Sequence, residues 1–282
     1  MLYLEQSVKN IVTGNGIFVI PLSAFSFNWD ILNTMFISTL KKFEKWKPIN
    51  KRIYTTVNPS GIVLKDAIEV KNIAMMSGNM IPAQASPFQS DDFYFDPVTK
   101  LLQSVGTSQF LVTYLGSYTL ENQNITQTFT CYNNEKSITE YLTAVPDIST
   151  LTISYNDEEM AISLKDGDYV EYTSASAKAS VCLDSLKFEL QREQYNNEAT
   201  INITYTTKYK AIKELDQSDE FFETWFGSVL LSSLGSIKAI TKFESLPVDV
   251  TTDDMLAYGR TLKELVNTYQ VERSKWYDMI GM

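Results

Sequence analysis

Acid–base chemistry in this chain would have to rest on carboxylates, because its 282 residues include 34 Asp and Glu but no histidine. Carboxylates stand together at Asp91-Asp92, Asp157-Glu158-Glu159, Asp166 with Asp168, and Asp253-Asp254. Two carboxyl groups facing each other across a cleft can hydrolyse a glycoside, and six or more oxygens can hold a calcium ion. Neighbours in sequence meet neither condition by themselves. Asp157 to Glu159 and Asp166-Gly167-Asp168 fall where hairpin turns are expected, and Asp253-Asp254 opens a helix whose dipole favours negative charge. These groups read as turn and cap residues. The missing histidine also removes Ser-His-Asp and Cys-His hydrolases, zincins and the ordinary catalytic zinc sites. The expectation is a protein that is not an enzyme, with no cofactor and no metal.

Other chemistry-bearing residues lead the same way. Gly14-Asn15-Gly16 has no Walker or dinucleotide fingerprint around it and reads as a turn. Cys131 and Cys182 are 51 positions apart without a CxxC unit, so both are expected as free, buried thiols. A net charge of −10, with arginine only at Arg52, Arg192, Arg260 and Arg273, opposes nucleic acid as the principal ligand. The N-terminus lacks a signal-peptide pattern, and the apolar stretch Ile17 to Phe27 is about half the length a bilayer requires. A soluble, non-secreted chain without a membrane partner is expected. Asn124-Ile-Thr126 and Asn202-Ile-Thr204 match glycosylation sequons and read as chance matches in such a chain.

The elements that position these residues follow from periodicity. Trp29, Leu32, Met35, Phe36, Leu40, Phe43 and Trp46 recur at helical steps, with Asn28 or Ser26 as cap and Pro48 as stop. From Ile53 the pattern changes to short alternating runs: 53–57, 67–75, a hairpin of 93–95 with 100–102 across Asp96-Pro97, 110–119, 125–132, 151–155, 160–164 and 169–173. A further hairpin is expected to join Val181–Arg192 to Thr200–Tyr209 across Tyr195-Asn196-Asn197-Glu198. Helical spacing returns at Ser218 and continues to Ile237, with Gly227 and Gly235 allowing close approach. After Leu246-Pro247-Val248, Thr251 to Asp254 starts a last helix reaching about Ile280, in which Gly259 marks a close packing contact. The predicted class is α+β: helices from both chain ends packed together, with a large antiparallel β-sandwich or barrel-like insertion. Residues 1–50 and 213–282 would form one helical lobe, and 51–212 the β-rich lobe.

Two surfaces stand out. The broad apolar face of Phe221, Phe222, Trp225, Phe226 and Val229 serves either as core or as a subunit interface. Lys41, Lys42, Lys45, Trp46, Lys47, Lys51 and Arg52 form the one basic concentration, either a helix C-terminus stabilised by cations with a solvated loop or a patch facing phosphate or an acidic partner. Tyr94, Tyr114, Tyr118, Tyr132, Tyr155 and Tyr205 could line a sugar- or protein-binding face, although sheet packing explains most of them.

Asn28-Trp29-Asp30 to Lys47-Pro48 with the hairpin after it, and Leu246-Pro247 with Asp253, Asp254 and Gly259, resemble the ends of virion structural proteins from large tailed bacteriophages. That resemblance covers about a quarter of the chain and transfers no catalytic residue. It implies a neck or head-to-tail connector subunit, or a tail or baseplate component, assembled in the host cytoplasm as a ring that contacts other virion proteins. A β-sandwich module binding carbohydrate or protein is the alternative, and a carboxylate enzyme a third.

Overall fold

The computed structural model describes residues 1–13, 25–76, 82–87, 93–194, 197–215, 220–232, 240–243 and 252–280. Gly14-Asn15-Gly16, Asp91-Asp92, Leu246-Pro247-Val248 and most of Ile17–Phe27 lie outside them, as do the side chains of Asp253, Asp254 and Trp276. The fold is mixed α+β, with helices near both chain ends and several antiparallel sheets, none of them closed into a barrel. Two compact units divide the chain: Met1–Thr39 with Leu120–Met282, and Leu40–Thr119.

The larger unit begins with α1 (Leu4–Thr13), a helix not anticipated above. Leu4, Val8 and Ile11 stand at i, i+4 and i+7 and are all buried, which is the spacing that places three side chains on one helical face. β1 (Phe25–Phe27) follows, then α2 (Trp29–Trp46), whose Asn28 side chain caps its first turn by accepting the Ile31 N–H at 3.2 Å.

The smaller unit holds the end of α2 and seven strands: β2 (Ile49–Val57), β3 (Ile62–Val63), β4 (Ala67–Met76), β5 (Pro82–Pro87), β6 (Phe93–Asp96), β7 (Leu101–Ser104) and β8 (Ser108–Gly116). They form a β2-β8-β4-β5 sheet and a β3-β7-β6 sheet. Alternation along these strands buries Val57, Val70, Ile73, Leu102, Phe110 and Val112 in one cluster, and Phe93 meets Phe110 edge-on at 5.1 Å. The turn at Asn58–Gly61 closes with Gly61 at φ 81°, where a side chain would be strained. The hairpin of β6 with β7 is the one expected across Asp96-Pro97.

The larger unit continues through β9 (Leu120–Glu121), β10 (Asn124–Cys131), β11 (Ser137–Tyr141), β12 (Thr152–Tyr155), β13 (Glu158–Glu159), β14 (Ala161–Asp166), β15 (Tyr169–Thr173), β16 (Ala177–Cys182), β17 (Lys187–Arg192), β18 (Ala199–Thr206), β19 (Ala211–Ile212), α3 (Glu220–Ser232), β20 (Ile240–Phe243) and α4 (Thr252–Ile280). β1 pairs with β20, and β9 with β19. The main sheets run β10-β18-β12-β13 and β11-β17-β16-β15-β14. Side chains of the two meet: Phe129 stacks on Phe188 at 5.8 Å, the Tyr172 hydroxyl donates to the Leu151 carbonyl, and the Gln127 amide donates to the Tyr141 carbonyl. On the other face of β10, β18 and β12, threonines pair across strands, as Thr126 with Thr204 at 3.1 Å and Thr128 with Asn202 at 2.7 Å. A register shift interrupts the pairing of β14 with β15 between Ile162 and Leu164.

One expected pairing is corrected. Val181–Arg192 does not pair with Thr200–Tyr209; it folds on itself as the hairpin β16-β17, while β18 lies in the other sheet between β10 and β12. The turn that makes this possible, Leu183 to Leu186, has apolar ends: Leu183 and Leu186 are both buried, and Leu186 adopts φ 58°. Polar punctuation is the usual sign of a turn, and here it is confined to Asp184 and Ser185.

Helices from different parts of the larger unit touch through small and aromatic residues. Phe36 of α2 meets Phe222 and Phe226 of α3 edge-on, at 5.3 and 5.2 Å. A Cβ added to Gly259 of α4 would lie 2.6 Å from the Ser232 nitrogen and 2.9 Å from the Leu231 carbonyl carbon, so the glycine lets two helix backbones approach closely. Gly259→Ala is therefore expected to lower stability by about 2 kcal/mol, the overpacking cost exceeding the gain in helix propensity, as measured by urea unfolding.

Candidate functional site

The apolar face of α3 divides in two. Phe222 and Phe226 are fully buried in the chain's own core, while Phe221, Trp225 and Val229 are half-buried. Phe221 packs edge-on against Trp225 at 6.0 Å and against Tyr269 of α4 at 5.2 Å. Tyr269 is 50% exposed and Leu265, one turn earlier, 45%. The outward residues of both helices thus form an apolar strip.

In the smaller unit, the basic concentration has an exposed part and a committed part. Lys41, Lys42, Lys45 and Arg52 are exposed, whereas Trp46 tilts against Phe43 and the Lys47 ammonium sits 5.7 Å from the Phe43 ring centre. Lys51 bonds the Asp66 carboxylate at 2.6 Å and the Thr119 hydroxyl at 3.3 Å. Burial works against ionisation of Asp66, but Lys51 and the Tyr114 hydroxyl outweigh it and hold the carboxyl below its usual range. Of the six tyrosines singled out above, Tyr114, Tyr118, Tyr155 and Tyr205 are buried, and only Tyr94 and Tyr132 are exposed. Cys131 is buried and Cys182 half-buried, both as free thiols.

The larger unit contains a cleft of about 620 Å³ that the linear sequence does not announce. Segments remote in sequence converge on it: the start of α2, the 145–149 loop, the β14–β15 turn, the β16–β17 turn and Lys208-Tyr209. Each is anchored. The Trp29 indole N–H donates to the Leu183 and Asp184 carbonyls at 2.9 and 3.0 Å, fixing α2 to the β16–β17 turn. The 145–149 loop is tied to the end of β18 by Lys208 N–H to Val145 O and Asp147 N–H to Thr206 O, each 2.8 Å. The Asp147 carboxylate accepts both the Ser149 N–H and its hydroxyl, which with Lys165 nearby keeps it below the usual carboxylate range.

At the other wall, Asp30 accepts the Tyr209 hydroxyl at 2.7 Å and the Lys208 ammonium at 3.3 Å, both on Oδ1. The Tyr209 bond comes first among the causes that depress Asp30, while burial and that same carboxylate push the Tyr209 phenol far above its ordinary range. At neutral pH one is a fixed acceptor and the other a fixed donor.

Behind the 145–149 loop lies Glu5 of α1, 4% exposed, whose Oε1 accepts the Val145 N–H at 2.9 Å. Burial pushes its carboxyl up to about 7 against the lowering effect of that bond. Sequence reasoning missed this residue, since one glutamate in an unrecognised helix gives no signal of its own.

The turn assignments hold for Asp157 and Asp168, while Glu158 and Glu159 form β13 and Asp166 ends β14. Asn156 and Asp157 turn with positive φ between β12 and β13, and Gly167 at φ 56° turns between β14 and β15. Among the described residues, no three Cys, Asp or Glu side chains are grouped so that they could hold a metal ion, and no helix is long and apolar enough to cross a membrane. No protein-family model, curated protein or solved structure matches the chain.

Proposed function

We propose that this protein is a non-enzymatic structural subunit of a tailed-phage virion, a neck or head-to-tail connector component that forms a ring with copies of itself and contacts neighbouring virion proteins. The observation that carries the self-association is the apolar strip of α3 and α4. Leu265 and Tyr269 expose aliphatic and aromatic surface one turn apart on α4, with Phe221 of α3 against Tyr269, the surface type that subunit interfaces use. The virion assignment rests on the resemblance of the chain ends to phage structural proteins, and a tail or baseplate position fits it as well. In this reading the two main sheets face each other as an open sandwich, and the helices from both ends form the packed base beside it. The basic residues at the end of α2 supply a surface for an acidic neighbour.

Native mass spectrometry and light scattering test the reading. The purified chain is expected to populate multiples of 32.1 kDa at micromolar concentration, and Leu265→Arg with Tyr269→Arg should shift it to the monomer without changing its circular dichroism. A wild-type protein that stays monomeric, and that is missing from purified particles of its source by peptide mass spectrometry, would rule it out.

A further inference from the structure

We propose that the cleft between the start of α2 and the 145–149 loop is a binding site for an uncharged, polyhydroxylated ligand of the saccharide class. This goes beyond the assembly role and does not depend on it.

The argument starts from shape and order. A volume of about 620 Å³ falls within the range of small-molecule sites, roughly 300 to 1,000 Å³. The walls are held by backbone hydrogen bonds and by the doubly bonded Trp29 indole, so a ligand would not have to organise them.

The charges then select the ligand. Asp30, Asp147, Asp168 and Asp184 face the same space as Lys165 and Lys208. Four carboxylates against two ammonium groups disfavour a polyanion such as nucleic acid or a phosphorylated ligand. A polycation would meet the lysines, one of which is bonded to Asp30, the carboxylate it would have to reach. An apolar ligand would bury charged groups without partners. Neighbouring hydroxyls suit this mixture, because each can donate to a carboxylate and accept from an ammonium or from the Asn28 amide. Trp29, Val145 and Leu183 add apolar atoms to the lining, against which C–H groups of a sugar ring can lie, while the Tyr209 ring is covered on one face by the Lys208 ammonium at 5.0 Å.

Lys165 and Asp168 make the decisive test, because both are exposed at the β14–β15 turn and can be changed without opening the core. The full-length protein, fluorescently labelled, would be applied to a printed array of neutral and acidic glycans, and its best neutral ligand titrated by calorimetry beside tetralysine. Binding to one or more neutral glycans is expected, with affinity falling at least tenfold in Lys165→Ala and in Asp168→Ala while circular dichroism and the thermal midpoint stay unchanged. Three results would each overturn the proposal: no neutral glycan bound, binding indifferent to both substitutions, or tetralysine bound more tightly than any glycan. The oligomeric mass, measured on the same variants, should not move; a wild-type protein that binds a glycan but stays monomeric would count against the assembly reading and leave the cleft intact.

Discussion

Arg192→Ala is expected to lower the unfolding free energy by about 4 kcal/mol, a large part of the total for a domain whose stability is of the order of 5–15 kcal/mol. Arg192 ends β17 and is only 2% exposed. Its guanidinium makes no carboxylate ion pair among the described residues; it is instead surrounded by carbonyl oxygens. Nε donates to Glu135 O at 2.9 Å, Nη1 to Asn197 O at 2.7 Å, and Nη2 to Tyr132 O at 2.7 Å and again to Glu135 O. The side chain clasps the turn between β10 and β11, and with it the place where the chain leaves one main sheet for the other. Removing it costs four charge-assisted hydrogen bonds and takes this donor from the Asn197 carbonyl, while the Tyr132 carbonyl keeps the Glu135 N–H at 3.1 Å and the Glu135 carbonyl the Cys131 thiol at 3.6 Å. Arg192→Lys should recover less than half of the loss, since one ammonium cannot reproduce a planar fork of donors. Urea titrations of the three proteins, followed by circular dichroism, give the comparison; equal midpoints for wild type and Arg192→Ala would contradict it.

The second large effect is on pH dependence and comes from Glu5. Its folded-state pKa of about 7 lies above the ordinary 4.5 of a glutamate, so between those values the native protein binds a proton that the unfolded chain has released. Stability must therefore fall as pH rises through this window, and the accumulated loss is about 3 kcal/mol once the buried carboxyl also ionises. Asp30, Asp66 and Asp147 act in the opposite sense at lower pH: their folded pKa values are depressed, so their contribution is present above about 4 and lost as pH falls further. The optimum is accordingly expected near pH 4–5, acidic for a protein of this kind. Glu5→Gln keeps an oxygen for the Val145 N–H and removes the titration, so its urea midpoint at pH 8 should exceed that of wild type, and its stability should change little between pH 5 and 8. A wild-type midpoint that rises across that range would refute the assignment.

How far these features could be read from the sequence depended on the range of the interactions involved. Alternation along β4, β8 and β10, and helical spacing along α2 and α4, report which face of an element is apolar, and both are properties of neighbouring residues. Gly259 was legible for a related reason, because a glycine inside a strong helix pattern has a cost that close packing can justify. Partner choice is a different matter. β18 fits β17 as well as β10 by local pattern, and only the apolar-ended turn at Leu183–Leu186 decides between them. α1 gave no comparable signal because four apolar residues over ten positions make a short stripe, with no cap or stop that stands out. The cleft joins residues from Asn28 to Tyr209, and none of its charged groups has a spacing that hints at the others.

β14 has a bearing on how the chain avoids unwanted edge-to-edge association. All six of its residues are exposed, among the described residues it forms an edge of the five-stranded sheet, and Ile162 and Leu164 are apolar. Such an edge invites another chain to add on indefinitely. The register shift between those two residues breaks the even spacing a guest strand would need, and Lys165 and Asp166 end the strand in charge. These features act as gatekeepers against strand-by-strand aggregation at this edge.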